Sequence, residues 1–221
     1  MATTHNLFGS SVYKTRIDPA SYDKEYIIKT MVDNYAINPV RNNWNEVSNL
    51  HHTYNDWENP DFAKIDDSSL IPVYQNVIDQ FIKTVRFKSN VTYKWCISNF
   101  AINTKDMTPH DHFGDERVHN THNMFSCTHY ISFDKSAHAP TKFINSMPLA
   151  YYPILTKPYH TVLDDTSEQN SSYYENWSLD TEEDDFIIFP AYQKHGVFPN
   201  KRKTDVPRII SVVNIQIIKN T

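Results

Sequence analysis

The stretch from Asp184 to Asn214 limits the fold of this chain more than any other. An apolar β run at 186–189 is closed by Pro190, and a short connection then carries a lone His195. A basic turn of Lys201, Arg202 and Lys203 follows, and a second β run opens on Arg208. This separation allows a turn and an antiparallel return of the Arg208 strand beside the strand that bears His195, with the guanidinium pointing inward. A histidine at one strand end and an arginine opening the next can face a single hollow, one holding a metal and the other an anion.

Upstream, the period of the apolar residues changes once. Asp18 and Pro19 read as the N-cap and first turn of a helix. Ile27, Ile28, Met31 and Tyr35 fall on one face of it, and it should stop before Pro39. Residues 40–66 are polar, Asn-rich and aromatic without periodicity, so a long ordered loop packed through Trp44, Tyr54 and Trp57 is expected. A second helix is capped by Ser68 or Ser69 and carries a stripe of Leu70, Tyr74, Val77, Ile78, Phe81, Ile82 and Val85. From Val91 the period becomes two. Val91–Asn103 reads as a long strand, and further strands are expected at 125–133, 142–145, 177–179, 186–189, 196–198 and 208–218. Residues 146–176 form a long insertion, aromatic and then acidic, of a kind that often serves function. Helices followed by many strands mean an α+β chain with a sandwich or jelly-roll core.

Composition narrows the function classes. A chain of 221 residues suits one domain, and 39% hydrophobic with 14% aromatic content makes it globular. Two cysteines are too few for a disulfide framework or a cysteine-ligated zinc cluster. A formal charge of −5 offers nucleic acid no general attraction, and only three glycines leave no Gly-rich phosphate loop. No segment has the apolar length of a membrane span and the start lacks a basic-then-apolar leader, so a cytoplasmic protein is expected.

Eleven histidines are more than structure requires, and His110, His112, His119 and His122 crowd one stretch. His110 and His112 are two apart, so on a strand or its extended end both imidazoles share a face and can reach one metal. His195 is the natural third ligand. Three neutral imidazoles suit zinc, iron, nickel or manganese alike. Arg208 is the lone charge opening an apolar run, where a guanidinium is costly unless it meets a carboxylate of the protein or of a ligand.

These residues resemble the 2-oxoglutarate/Fe(II)-dependent oxygenases, in particular a branch common in phages and marine bacteria. Pro109-His110-Asp111-His112 is similar to that branch's Pro-His-x-His metal motif. Phe189-Pro-Ala-Tyr-Gln-Lys-His195-Gly-Val-Phe-Pro-Asn200 is similar to its Phe-Pro-x-x-x-x-His-x-Val-x-Pro-Asn. Arg208 through Asn214 resembles the closing Arg-Ile-x-x-x-x-Asn, and Phe125 through Ile131 and Lys142 through Asn145 resemble two of its strands. The chain departs from the wider family in three places. His112 stands where a carboxylate ligand is usual, unless Asp111, Asp115, Glu116, His119 or His122 takes that position. Cys127 replaces a glycine. Ile210 stands where a serine normally follows the arginine on the same strand face, and Tyr130 is the expected substitute.

The resemblance implies a double-stranded β-helix, a cupin-like jelly roll, with both helices outside one sheet. It implies a single domain over 1–221, with residues 1–90 as a helical flank and aromatic loop and 91–221 as the core bearing the 146–176 insertion. It further implies Fe(II) on His110, His112 and His195, and 2-oxoglutarate held through Arg208 and Tyr130. The expected reaction is oxygen-dependent hydroxylation of a peptide, amino acid or small metabolite, yielding succinate and CO2. Tyr151, Tyr152 and Tyr159 would then serve substrate binding from an insertion that covers the barrel mouth. Two rival readings stand beside it: a three-histidine zinc hydrolase, and a non-catalytic jelly-roll binding or structural module.

Overall fold

The alternation that begins at Val91 becomes sheet. A computed structural model describes residues 2–7, 10–37, 50–53, 61–103, 106–112, 123–145, 164 and 166–220. Its strands are β1 (Thr3–Leu7), β2 (Ser10–Arg16), β3 (Leu50–His52), β4 (Val91–Asn103), β5 (Met107–His110) and β6 (Phe125–Ser132). They continue with β7 (Thr141–Ile144), β8 (Asn176–Ser178), β9 (Asp185–Pro190), β10 (His195–Val197) and β11 (Ile209–Lys219), and the helices are α1 (Lys24–Ile37) and α2 (Leu70–Thr84). The strands form two antiparallel sheets, a larger one in the order β1-β2-β9-β6-β11-β4-β3 and a smaller one in the order β5-β10-β7-β8.

Period two decides which side chain enters which core. Along β11, Ile209, Val213 and Ile215 point toward the helices, whereas Ile210 and Val212 point toward the smaller sheet. On β6, Phe125, Cys127 and Ile131 go outward and Tyr130 inward; on β9, Phe186 and Ile188 go outward and Ile187 and Phe189 inward. The outer core is closed by the α2 stripe, of which Leu70, Tyr74, Val77, Ile78 and Phe81 are buried. Phe81 stacks edge-on against Phe125 at 4.9 Å and lies 5.5 Å from Tyr13, so one helical residue ties β6 to β2. Each such burial contributes about 1.5–3 kcal/mol. The inner core lies between the sheets and includes Leu7, Ala101, Tyr130, Phe143, Phe189 and Ile210.

Three details differ from the sequence expectation. Asp18 and Pro19 make only a 3-10 turn, in which the Asp18 carboxylate accepts the Ala20 N–H at 3.0 Å. Tyr22 then returns to extended backbone and α1 begins at Lys24, because the Tyr22 hydroxyl donates to Asp184 at 2.9 Å and its ring packs on His129. Ser69 makes no side-chain bond to its own helix and instead accepts the Asp23 N–H at the entry to α1. The polar stretch expected as a loop also contributes sheet, since β3 pairs with β4, while β2 falls in the extended opening segment and lies between β1 and β9. Trp44, Tyr54 and Trp57 lie outside the described residues.

The larger correction concerns β11. It does not return beside the strand that bears His195. β10 pairs with β5 and β7 in the smaller sheet, whereas β11 pairs with β4 and β6 in the larger one. Residues 198–207 cross from one sheet to the other, so His195 and Arg208 approach the interior from opposite walls.

Candidate active site

The three histidines expected to converge do so. In β5 and β10, His110 and His195 are direct cross-strand partners, and His112 follows where the chain leaves β5. The His112 N–H is bonded to the Ala191 carbonyl at 2.9 Å, which holds that exit against the end of β9. One nitrogen from each ring lies within 4.8 Å of the other two. Bonds of about 2.0–2.1 Å from imidazole to a shared ion would hold those nitrogens closer together than that limit, so the rings would close inward on binding. Gly196 is what allows the approach. A Cβ there would meet the Met107 carbonyl oxygen at 2.7 Å and the backbone of Pro109 at 3.3 Å, so any larger residue would push β10 away from β5.

The surroundings fix which nitrogens point inward. His110 donates from Nδ1 to the Thr108 carbonyl at 3.1 Å, and His195 donates from Nδ1 to the Gln193 carbonyl at 3.0 Å. Nε2 is then the lone-pair nitrogen in both rings. Gln193 is itself held, its side-chain amide donating to the Ile144 carbonyl at 2.7 Å. His195 is buried and lies 4.7 Å from the Phe189 ring. Burial lowers the pKa of all three rings: His112 is pushed down to about 3, with His110 adding to the effect, and His195 goes well below its ordinary value. All three are neutral near pH 7, which is the state that can ligate a metal. Asp111 is outside this cluster. Asp115, Glu116, His119 and His122 lie outside the described residues, as do Tyr151, Tyr152 and Tyr159. The part of the insertion that is described forms a 3-10 turn, Glu168–Tyr173, with Glu168 bonded to His5 at 2.5 Å.

Arg208 sits on the opposite wall and is 1% exposed. Its Nε donates to the Ala139 carbonyl at 3.2 Å, but Nη1 and Nη2 have no hydrogen-bond partner among the described residues. Burial lowers its pKa, and Tyr130 opposes that effect. The Tyr130 ring lies 5.5 Å from the guanidinium carbon. The Tyr130 hydroxyl donates to Thr141 Oγ1 at 2.5 Å and accepts the Thr141 N–H at 2.9 Å, so its proton is already committed. Thr141 shares a strand face with Phe143, and Phe143 pairs with His195. Tyr130 thus reaches the Thr141 position, one two-residue step (about 7 Å) along β7 from the histidine-paired Phe143, and Arg208 reaches Ala139, beyond it. A buried guanidinium with two unpaired nitrogens costs several kcal/mol unless an anion meets it. This observation fits a ligand that bears a carboxylate at one end and metal-chelating atoms at the other.

No protein-family profile and no curated protein matches the sequence. Solved structures do match the fold. A viral collagen prolyl hydroxylase from Paramecium Bursaria Chlorella virus-1, in its 2OG complex, is 10% identical over 93% of this chain and 94% of its own, with a TM-score of 0.49. A Pseudomonas putida prolyl-4-hydroxylase is 12% identical over 96% and 92%, also at 0.49. EvdMO1 reaches a TM-score of 0.51 with 13% identity over 96% of this chain, which spans 47% of that larger protein. The fold is a double-stranded β-helix. The histidines stand on β5, on β10 and at the exit from β5, and the arginine stands at the start of β11 in the larger sheet.

Sequence reasoning did not single out Asn103, Phe189 or Gly196. Asn103 ends β4 on the inner face, with both its amide oxygen and nitrogen buried and unpaired. A polar residue at an inward position of an otherwise well-patterned strand was the available signal.

Proposed function

We propose that the protein is a 2-oxoglutarate-dependent Fe(II) oxygenase that hydroxylates a small molecule or peptide. His110, His112 and His195 would hold the iron through one nitrogen each, and Arg208 would pair with the distal carboxylate of 2-oxoglutarate. When bound, the iron and 2-oxoglutarate together supply oxygen activation coupled to oxidative decarboxylation, with succinate and CO2 as co-products. The chain's own part is positional. The carbonyls of Thr108 and Gln193 orient two imidazoles, Phe189 and Phe143 exclude water between the layers, and Arg208 sets the depth at which a diacid stops.

The observation that carries this reading is the pair of buried Arg208 nitrogens without a hydrogen-bond partner among the described residues, in a chain whose three neutral imidazoles converge. A hydrolytic zinc site has no need of that cation. The substrate class follows from charge: the acidic stretch 163–185 disfavours a polyanion.

The test is an anaerobic titration of the Fe(II)-loaded protein with 2-oxoglutarate, following the visible charge-transfer band of the chelate. The wild type should bind. Arg208→Ala should lose at least about a hundredfold in affinity, and Arg208→Lys, which keeps the charge but not the fork, should fall between. Equal binding by wild type and Arg208→Ala, or none by the wild type, would overturn the reading.

A further inference from the structure

We infer that Asn103 is the second ligand of the cosubstrate's distal carboxylate, doing the work of the hydroxyl that Ile210 cannot supply. The inference rests on the cosubstrate reading and deepens it.

Register places the two side chains together. Ile210 is the cross-strand partner of Ala101, and both belong to the inner core. Two residues back from Ile210 and two forward from Ala101, Arg208 and Asn103 come opposite each other, and the Asn103 N–H donates to the Arg208 carbonyl at 3.2 Å. Residues directly opposite on one face of an antiparallel pair have Cβ atoms about 4.5–5.5 Å apart. Both residues line one open-mouthed cavity of about 760 Å³, together with Tyr35, Asn200 and His138; the three metal-site histidines do not line it.

The neighbouring polar groups are already engaged. The Tyr130 hydroxyl proton goes to Thr141, and the Ser132 hydroxyl donates to the Pro207 carbonyl at 2.8 Å. His138 bonds through both ring nitrogens, to the Asp134 N–H at 2.9 Å and the Val206 carbonyl at 3.0 Å. Ser211 points to the other face, with Ile209 and Val213. Asn200 leaves an amide oxygen unpaired, which can accept from a guanidinium but cannot donate to a carboxylate. Asn103 is 1% exposed and has both an unpaired donor and an unpaired acceptor. A carboxylate between the two residues would take the Arg208 fork on one side and the Asn103 amide N–H on the other. The amide oxygen would then accept a remaining guanidinium N–H. One anion thus satisfies buried groups that the protein leaves without partners, each of which carries a desolvation penalty.

The experiment titrates Fe(II)-loaded, oxygen-free protein with 2-oxoglutarate and, separately, with pyruvate, which has the chelating end but no distal carboxylate. Asn103→Ala should weaken 2-oxoglutarate binding by about ten- to a hundredfold, the worth of one charge-assisted hydrogen bond, and leave pyruvate within about twofold. Asn103→Asp supplies the protein with its own carboxylate for Arg208. It should raise the Tm of the metal-free protein and abolish 2-oxoglutarate binding. Unchanged 2-oxoglutarate affinity in Asn103→Ala, equal losses for both ligands, or an Asn103→Asp Tm no higher than wild type each overturn the assignment while leaving the cosubstrate reading intact. Failure of the wild type to bind 2-oxoglutarate overturns that reading, and this inference with it.

Discussion

On the outer face of the larger sheet, the half-buried Lys24 and the buried Asp184 find partners within the fold. Lys24 reaches Asp184 at 2.7 Å and Glu183 at 2.7 Å, Tyr22 donates to Asp184 at 2.9 Å, and Tyr74 and His129 share a hydrogen bond at 2.8 Å. On the inner face, one strand thickness away, Arg208 and Asn103 keep four side-chain nitrogen and oxygen atoms without a hydrogen-bond partner among the described residues. Apolar residues line both faces equally well. What separates them is the fate of charge: Lys24 meets carboxylates of the chain, whereas Arg208 meets none among the described residues. A cation kept for stability would have been paired as Lys24 is.

The largest effect should come from treating the two faces alike. Phe186→Ala, which deletes an outer-face ring 5.0 Å from Tyr74, should cost about 3–5 kcal/mol in urea unfolding and leave the histidine cluster in place. Arg208→Met on the inner face should instead stabilise the ligand-free protein, by about 1–3 kcal/mol, because an apolar isostere removes an uncompensated buried charge. If both variants lose stability to the same degree, the contrast between the faces fails.

A pH series sharpens the contrast next. Burial, and then Lys24, push the pKa of His129 down to about 3, against an ordinary 6.5. The folded state therefore binds fewer protons than the unfolded chain between those values. This contribution is fully present above about pH 6.5 and is lost as pH falls toward 3. Between pH 7 and pH 5 it is worth roughly 2 kcal/mol. The lowered histidines of the inner site act in the same window, so the wild type's acid limb has several sources. His129→Phe should flatten that limb in a Tm-against-pH series by about its own share, and an unchanged slope would remove His129 from the account.

The smallest effect concerns Ile210, which is 7% exposed and sits between Ala101 and Tyr130 on the inner face. Ile210→Ser should tighten 2-oxoglutarate by a few-fold and lower stability by about 1–2 kcal/mol through lost apolar burial. If affinity does not change, Asn103 already saturates the carboxylate.

Much of this contrast was legible in the sequence, for a physical reason. A charge directly ahead of an apolar run such as Ile209 and Ile210 is costly to bury without a partner, so Arg208 marks a candidate site. The His110 and His112 spacing was readable in the same way, because period two is a local property. Sheet membership was not local. The turn from His195 to Arg208 looks like a hairpin, and only the competition among β4, β6 and β7 for partners sends the two strands to different sheets. Asn103 offered only a weak signal, a polar residue on the inward face, because the residue opposite it lies more than a hundred positions away. The start of α1 was misplaced because Tyr22 prefers a tertiary bond to Asp184 over the helical turn that Asp18 and Pro19 would have begun.

The central place of β11 has a consequence for how the molecule comes into being. It is the last strand in the sequence, yet it lies in the middle of the larger sheet, hydrogen-bonded to β4 on one side and β6 on the other. Until it is inserted, β4 and β6 are edges, and neither core has its floor. A chain emerging from the ribosome can form the helices and the β1-β2 hairpin early, since those contacts are local. The barrel must wait for pairings of very long sequence separation, the slowest kind to form. During that wait two hydrophobic edges are open to the wrong partner. Nascent chains that lack residues from Ile209 onward should therefore engage chaperones rather than ligands.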